Sequence, residues 1–185
     1  MADFTRKAIK ETFMRLLNEK PLKSITVSEL ARECGINRNT IYYYYPGIPE
    51  LFEEILKEEL DRVIETSASL ETLEERVINS FSIVLENKQA IHHIYNSVQR
   101  DVFERYLMES SEYAITEYLK MVLPELDVSD IDTMLLIKYL KYVCFGSIIE
   151  WLEKGEADSL ETEIHRSCEI VDFLFKTVAL NGLEA

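Results

Sequence analysis

Apolar residues recur along this chain at intervals of three and four almost from end to end, the spacing that lines one face of an α-helix. Ile9, Phe13, Leu16 and Leu17 form the first stripe, predicting a helix that starts near Thr5 and ends over Asn18 to Pro21. Val27, Leu30, Ala31 and Cys34 predict a short second helix, and Ile41 with Tyr45 a third that begins at Arg38. From Pro49, a favourable first helical residue, Leu51, Phe52, Ile55, Leu56, Leu60 and Val63 trace a longer fourth. Leu73, Val77, Phe81 and Val84 mark a fifth, and Ile91, Ile94, Tyr95 and Val98 a sixth. Val102, Phe103, Tyr106 and Leu107 open a seventh that reaches about Val122, ahead of Pro124. Ser129 and Asp132 have the spacing of a capping box and open an eighth, through Trp151 and Leu152, that stops near Gly155. Ser159 caps the last, striped by Ile164, Cys168, Val171, Leu174, Phe175 and Val178. The fold class is all-α, with about nine helices.

The punctuation of the first 48 residues is more specific than their periodicity. Thr26 and Glu29 are spaced as a capping box, with Ile25 and Leu30 at the staple positions around it. Gly35 supplies the positive φ of a sharp exit. Asn37 then caps the third helix, Ile36 and Ile41 repeat the staple, and Pro46-Gly47 ends it. Two short capped helices across a glycine turn are the signature of a helix-turn-helix. Residues 42–45 of that third helix are all tyrosine, and a helix turns about 100° per residue, so they cannot all face inward. Ile41 and Tyr45 share the inner face; Tyr42, Tyr43 and Tyr44 fan outward. Phenols donate to phosphate oxygens while their rings pack along sugars. Arg38 and Asn39 stand at the end of a recognition helix that meets base edges, with side chains suited to guanine and adenine. A surface patch for another protein is the competing use of the tyrosines.

The run ITVSELARECGINRNTIYYYYPGIPELFEEIL resembles the DNA-binding domain of the TetR family of bacterial transcription regulators, over residues 5–56. The resemblance implies base reading by Arg38, Asn39 and Tyr43. It implies backbone contacts by Thr26, Asn37, Thr40, Tyr42 and Tyr44. Tyr45 stands where that family usually has Phe, and Ile48 where a phosphate-binding lysine commonly opens the fourth helix. The INRNTIYYYY run and Ile48 are similar to a branch that includes regulators of dihydroxyacetone-kinase operons, some of which work with partner proteins. The expected division is a DNA-binding domain over 1–48 and a regulatory and dimerisation domain over 49–185.

Charge fits that division. Residues 1–49 carry 8 basic against 5 acidic side chains, whereas 50–185 carry 12 against 29, within an overall net charge of −14. The segment YLKYVCFGSIIEWL is apolar around most of its circumference, and the last helix nearly so. Such helices bury more than one face. A four-helix bundle between two copies of the chain is therefore expected, with Phe145, Ile149, Leu174 and Phe175 near its seam and Gly146 permitting close approach. The family resemblance implies the same homodimer, a palindromic double-stranded operator, and a small-molecule effector that moves the fourth helix. Tyr95, Phe103, Tyr106, Tyr139 and Tyr142 are the aromatic candidates for an effector pocket. An acidic body and the Ile48 replacement leave open a second use, as a coregulator acting through a partner regulator.

Other chemistry is thinly represented. The 3 cysteines, Cys34, Cys144 and Cys168, are odd in number and scattered, as for reduced cytoplasmic thiols. No apolar run reaches the roughly 18 residues of a membrane span, and no secretory leader is read at the start. His92 and His93 are adjacent and so point about 100° apart on a helix, which does not make a metal pair. No nucleotide-binding fingerprint or nucleophile–base pair is recognisable, so neither enzymatic activity nor a cofactor is expected.

Overall fold

The computed structural model describes residues 2–67, 69–122, 129–154 and 160–181, with side chains for all of these except 2, 3, 122 and 175–181. Pro124, Gly155 and the Ser159 cap lie outside the described residues, as does the side chain of Phe175. The helices are α1 (Ala2–Glu19), α2 (Val27–Glu33), α3 (Arg38–Tyr44), α4 (Ile48–Ser67) and α5 (Leu73–Ser80). They continue as α6 (Ser82–Glu86), α7 (Lys88–Tyr95), α8 (Arg100–Val122), α9 (Asp130–Lys154) and α10 (Leu160–Asn181). A 3-10 turn, Leu22–Ser24, separates α1 from α2. No strand occurs among the described residues.

These ten α-helices exceed the sequence expectation because the fifth stripe is cut in two at Phe81. Ser82 explains the cut. Its hydroxyl donates back to the Asn79 carbonyl at 2.9 Å and meets the Arg62 guanidinium, so it competes with the helical ladder. Leu73, Val77, Phe81 and Val84 are nonetheless all buried, so the apolar pattern names the inward face correctly across the break.

The chain forms two compact units. The first comprises residues 1–59 and 83–106. Its core holds Ile9, Phe13, Leu17, Leu30, Ile41, Tyr45, Leu51, Phe52, Ile91, Ile94 and Phe103, all but fully enclosed. Each such side chain contributes about 1.5–3 kcal/mol of transfer free energy. Polar clips hold α7 on α1: the Asn18 side chain accepts from the Ala90 N–H at 3.2 Å and donates to Asn87 Oδ1 at 3.2 Å. His93 Nδ1 meets the Leu17 carbonyl at 2.7 Å.

The second unit comprises residues 60–82 and 107–185. Its core includes Val63, Leu73, Val77, Phe81, Ile115, Tyr118, Leu119, Ile148, Leu152, Leu160, Ile164 and Cys168. α10 packs on α5, and His165 reaches the Glu74 carboxylate at 3.0 Å. No helix among the described residues is long and apolar enough to cross a membrane.

Candidate nucleic-acid interface

In the first unit, α2 and α3 are set by their caps. Thr26 Oγ1 accepts from the Glu29 N–H at 3.2 Å. The other half of the expected box is replaced, because the Glu29 carboxylate turns to Lys20 at 2.6 Å and Arg32 at 3.4 Å. Gly35 has φ 66° with open space where a Cβ would stand, so conformation alone calls for glycine there. Asn37 Oδ1 accepts from the Asn39 N–H at 2.9 Å and starts α3.

α3 is held from beneath by Ile41 and Tyr45. The Tyr45 phenol donates to Glu54 Oε1 at 3.0 Å, and Lys10 pairs with the same carboxylate at 2.6 Å and with Glu58. Burial, and then the hydrogen bond to Glu54, push the Tyr45 phenol up to about 12. Burial alone would raise Glu54, but its bonds from Lys10 and Tyr45 outweigh that and hold it below the usual carboxylate range.

The opposite face of α3 is open. Arg38 and Asn39 are exposed, Thr40 is half-buried, and Tyr42 and Tyr43 are 52% and 81% exposed. Tyr44 is half-buried, edge-on to Tyr43 at 5.0 Å between centroids, with the Arg6 guanidinium 5.4 Å from its own ring. Thr26 and Asn37 are exposed as well. The eight proposed DNA-contact side chains thus all retain accessible surface. Cations are scarcer than the count suggests: Arg6, Lys7, Lys10, Arg15, Lys20 and Arg32 all lie in ion pairs. Among the described residues, Lys23 and Arg38 are the basic side chains of this segment outside such pairs. Ile48 is half-buried at the start of α4.

The second unit contains an apolar cavity of about 50 Å³, partly open to solvent, between α5, α9 and α10, walled by Leu73, Val77, Phe81, Leu140, Cys144, Ile148, Ile164 and Cys168. It is far below the ~300 Å³ of an ordinary small-molecule site. The five aromatic pocket candidates do not line it. Tyr95, Phe103 and Tyr106 are buried in the first unit, while Tyr139 and Tyr142 on α9 are 61% and 49% exposed. Sequence periodicity missed the cavity because its walls read as ordinary core.

The α5 face away from that cavity is bonded to the last turns of α4. Arg62 Nη1 donates to Asn79 Oδ1 at 3.0 Å, Thr66 Oγ1 donates to the same oxygen at 3.1 Å, and Asn79 Nδ2 donates to the Val63 carbonyl at 3.2 Å. Arg76, buried, donates to the Ser67 carbonyl at 3.2 Å and to the Leu70 carbonyl, capping the negative end of α4.

α9 presents Ile131, Met134, Leu135, Tyr139, Tyr142 and Val143 to solvent at helical spacing, and α10 presents Ile170, Phe173 and Leu174. Of the expected seam residues, Leu174 is 55% exposed, and Phe145 and Ile149 are half-buried at the edge of the stripe. Gly146 has open space where a Cβ would stand. No group of three or more His, Cys, Asp or Glu is placed to hold a metal ion among the described residues.

Comparison with known proteins places these features. Residues 11–55 match the family described as bacterial regulatory proteins, tetR family, and residues 71–172 match a transcriptional regulator C-terminal region. The chain is 41% identical over 69 residues to the HTH-type transcriptional regulator EthR of Mycobacterium tuberculosis, covering 37% of this chain and 30% of that relative. It therefore spans less than a third of that relative. The probable HTH-type transcriptional regulator YttP of Bacillus subtilis is 25% identical over 163 residues, 74% of this chain and 78% of the relative. Among solved structures, the dihydroxyacetone kinase operon activator DhaS superposes with a TM-score of 0.79 at 18% identity, over 94% of this chain and 97% of its own. The fatty acid degradation regulator FadR of Bacillus halodurans gives 0.58 at 16%, over 97% and 96%. At these identities the two likenesses are of fold.

Proposed function

The chain belongs to the TetR family of bacterial transcriptional regulators, and on that premise we propose that it binds a palindromic operator as a homodimer through the outer face of α3. The observation that carries the reading is the exposure of Arg38, Asn39, Tyr42 and Tyr43 on a helix whose opposite face is anchored by Ile41 and Tyr45. Residues 1–48 are the DNA-reading segment and 49–185 the regulatory one. Arg38, Asn39 and Tyr43 read bases; Thr26, Asn37, Thr40, Tyr42 and Tyr44 hold the backbone. The apolar stripe of α9 and α10 pairs two copies in the cytoplasm, which sets two recognition helices about 34 Å apart in successive major grooves.

A small-molecule effector acts through the cavity of the second unit. At about 50 Å³ the cavity must widen to admit one, and α5 is the wall with somewhere to transmit that displacement. It faces the cavity with Leu73 and Val77, with Phe81 just beyond its end, and grips α4 with Arg76 and Asn79. A ligand that favours the widened form thereby shifts α4, and with it operator affinity. Repression by occupancy of the operator is the default outcome.

Two observations favour a second reading, coregulation through a partner regulator: Ile48 in place of a phosphate-binding lysine, and the engagement of most head cations in ion pairs. The name of DhaS, an operon activator, is compatible with it. Selection from random duplexes separates the two. Direct reading predicts enrichment of a palindrome, with a log–log salt slope of only about −4, from roughly two cationic contacts per chain. No enrichment, together with complex formation with another regulator, supports the second.

A further inference from the structure

Two of the chain's thiols share the apolar cavity of the second unit. Cys144 comes from α9 and Cys168 from α10, and both line the same void of about 50 Å³. A void of that size holds no more than a few waters, so both thiols border one small gap, and Cys168 feels Cys144 electrostatically. Both are free thiols. The remaining walls are mostly apolar, with Ser147, Glu163 and Ser167 the polar residues among them, and Val143, a lining residue that is 56% exposed, marks the open side.

We propose that Cys144 and Cys168 form a two-thiol site for a soft, thiophilic centre bearing an apolar group, the class represented by trivalent organoarsenicals. Thiol sulfur selects soft centres, and two sulfurs on different helices chelate where one only associates.

Burial raises the Cys144 thiol to about 11, and burial, followed by Cys144, Glu74 and Asp172, raises Cys168 to about 12. Both are protonated near neutrality and poor nucleophiles toward reagents that need a thiolate. An aryl arsenoxide avoids that obstacle because it carries its own proton acceptor. Two S–H bonds break, two As–S bonds form, and the arsenic-bound oxygen leaves with both protons as one water. Arsenic stays trivalent, so no oxidant is required. Arsenic fills the gap, and the aryl group rests on the Val143 side. The site lies in the cavity assigned above to an effector, but binding is read without DNA, so either idea can fail while the other stands.

The test is titration of the full chain with phenylarsine oxide, followed by intact mass. The expected result is one adduct per chain that survives excess 2-mercaptoethanol and is released by dithiothreitol. Cys144→Ser and Cys168→Ser should each weaken binding by about 100-fold through loss of chelation, whereas Cys34→Ser, in the first unit, leaves it unchanged. If a serine variant does not fold, labelling of the unaltered chain decides. Prolonged N-ethylmaleimide treatment of the adduct should then mark Cys34 and spare the other two. No adduct, an adduct reversed by 2-mercaptoethanol, or protection of Cys34 instead would overturn the site.

Discussion

At the residue scale, the outer and inner faces of α3 call for different tests. Arg38→Ala or Asn39→Ala removes a base-edge contact, costs about 1–3 kcal/mol of operator affinity and relaxes preference at one base position per half-site. Tyr42→Phe weakens all duplexes about equally, because a phosphate contact carries no sequence information. Competition binding against single-base variants of a selected site distinguishes the two patterns. Tyr45 belongs to the fold instead. Its phenol is raised from 10.0 to about 12, so, with Glu54 ionised, its stabilising bond is fully present from neutral pH up to 10 and lost as pH climbs through 12. The melting-temperature advantage of the parent chain over Tyr45→Phe should shrink across that interval and stay constant between it and neutral pH. The sequence made Tyr45 legible as an inward residue through its spacing from Ile41. Its partnership with Glu54 and Lys10 was not legible, since that depends on how α1 and α4 pass each other.

At the element scale, α5 is the helix with two duties. Asn79→Ala removes the acceptor shared by Arg62 and Thr66 and the donor to the Val63 carbonyl. Each part-buried hydrogen bond lost costs about 0.5–1.5 kcal/mol, and hydrogen exchange should quicken in the last turns of α4 while α1 to α3 keep their protection. Equal protection throughout α4 would detach the clamp from the proposed relay. Helix starts were readable where a capping residue precedes an apolar run, as at Asn37 and Ser129, whose side chain accepts from the Asp132 N–H at 3.2 Å. Thr72 and Glu75 spell the same box and form it completely, opening α5. The cut at Phe81 was not readable, because it comes from a serine side chain answering a distant arginine rather than from apolar spacing.

At the scale of the whole molecule, α9 and α10 expose more apolar surface than a lone chain accounts for. Pairing through that stripe makes Gly146 a point of close approach. The Cβ of Gly146→Leu meets nothing within 4 Å among the described residues of its own chain, so the variant should keep its helix content while shifting sedimentation from dimer to monomer. A stable dimer in the variant would move the seam elsewhere. The excess of apolar positions on these two helices was visible in the sequence. Which aromatics bound a cavity was not, because Tyr139 and Tyr106 have the same periodicity and opposite exposure. Whether a paired chain reads duplex DNA with α3 is decided by a hydroxyl-radical footprint on a selected duplex. Two symmetric protected segments with centres about 10 base pairs apart are expected, both needing about 5- to 150-fold more protein with Arg38→Ala. Protection absent at saturating protein, or a single asymmetric segment unaffected by that substitution, would contradict reading by α3.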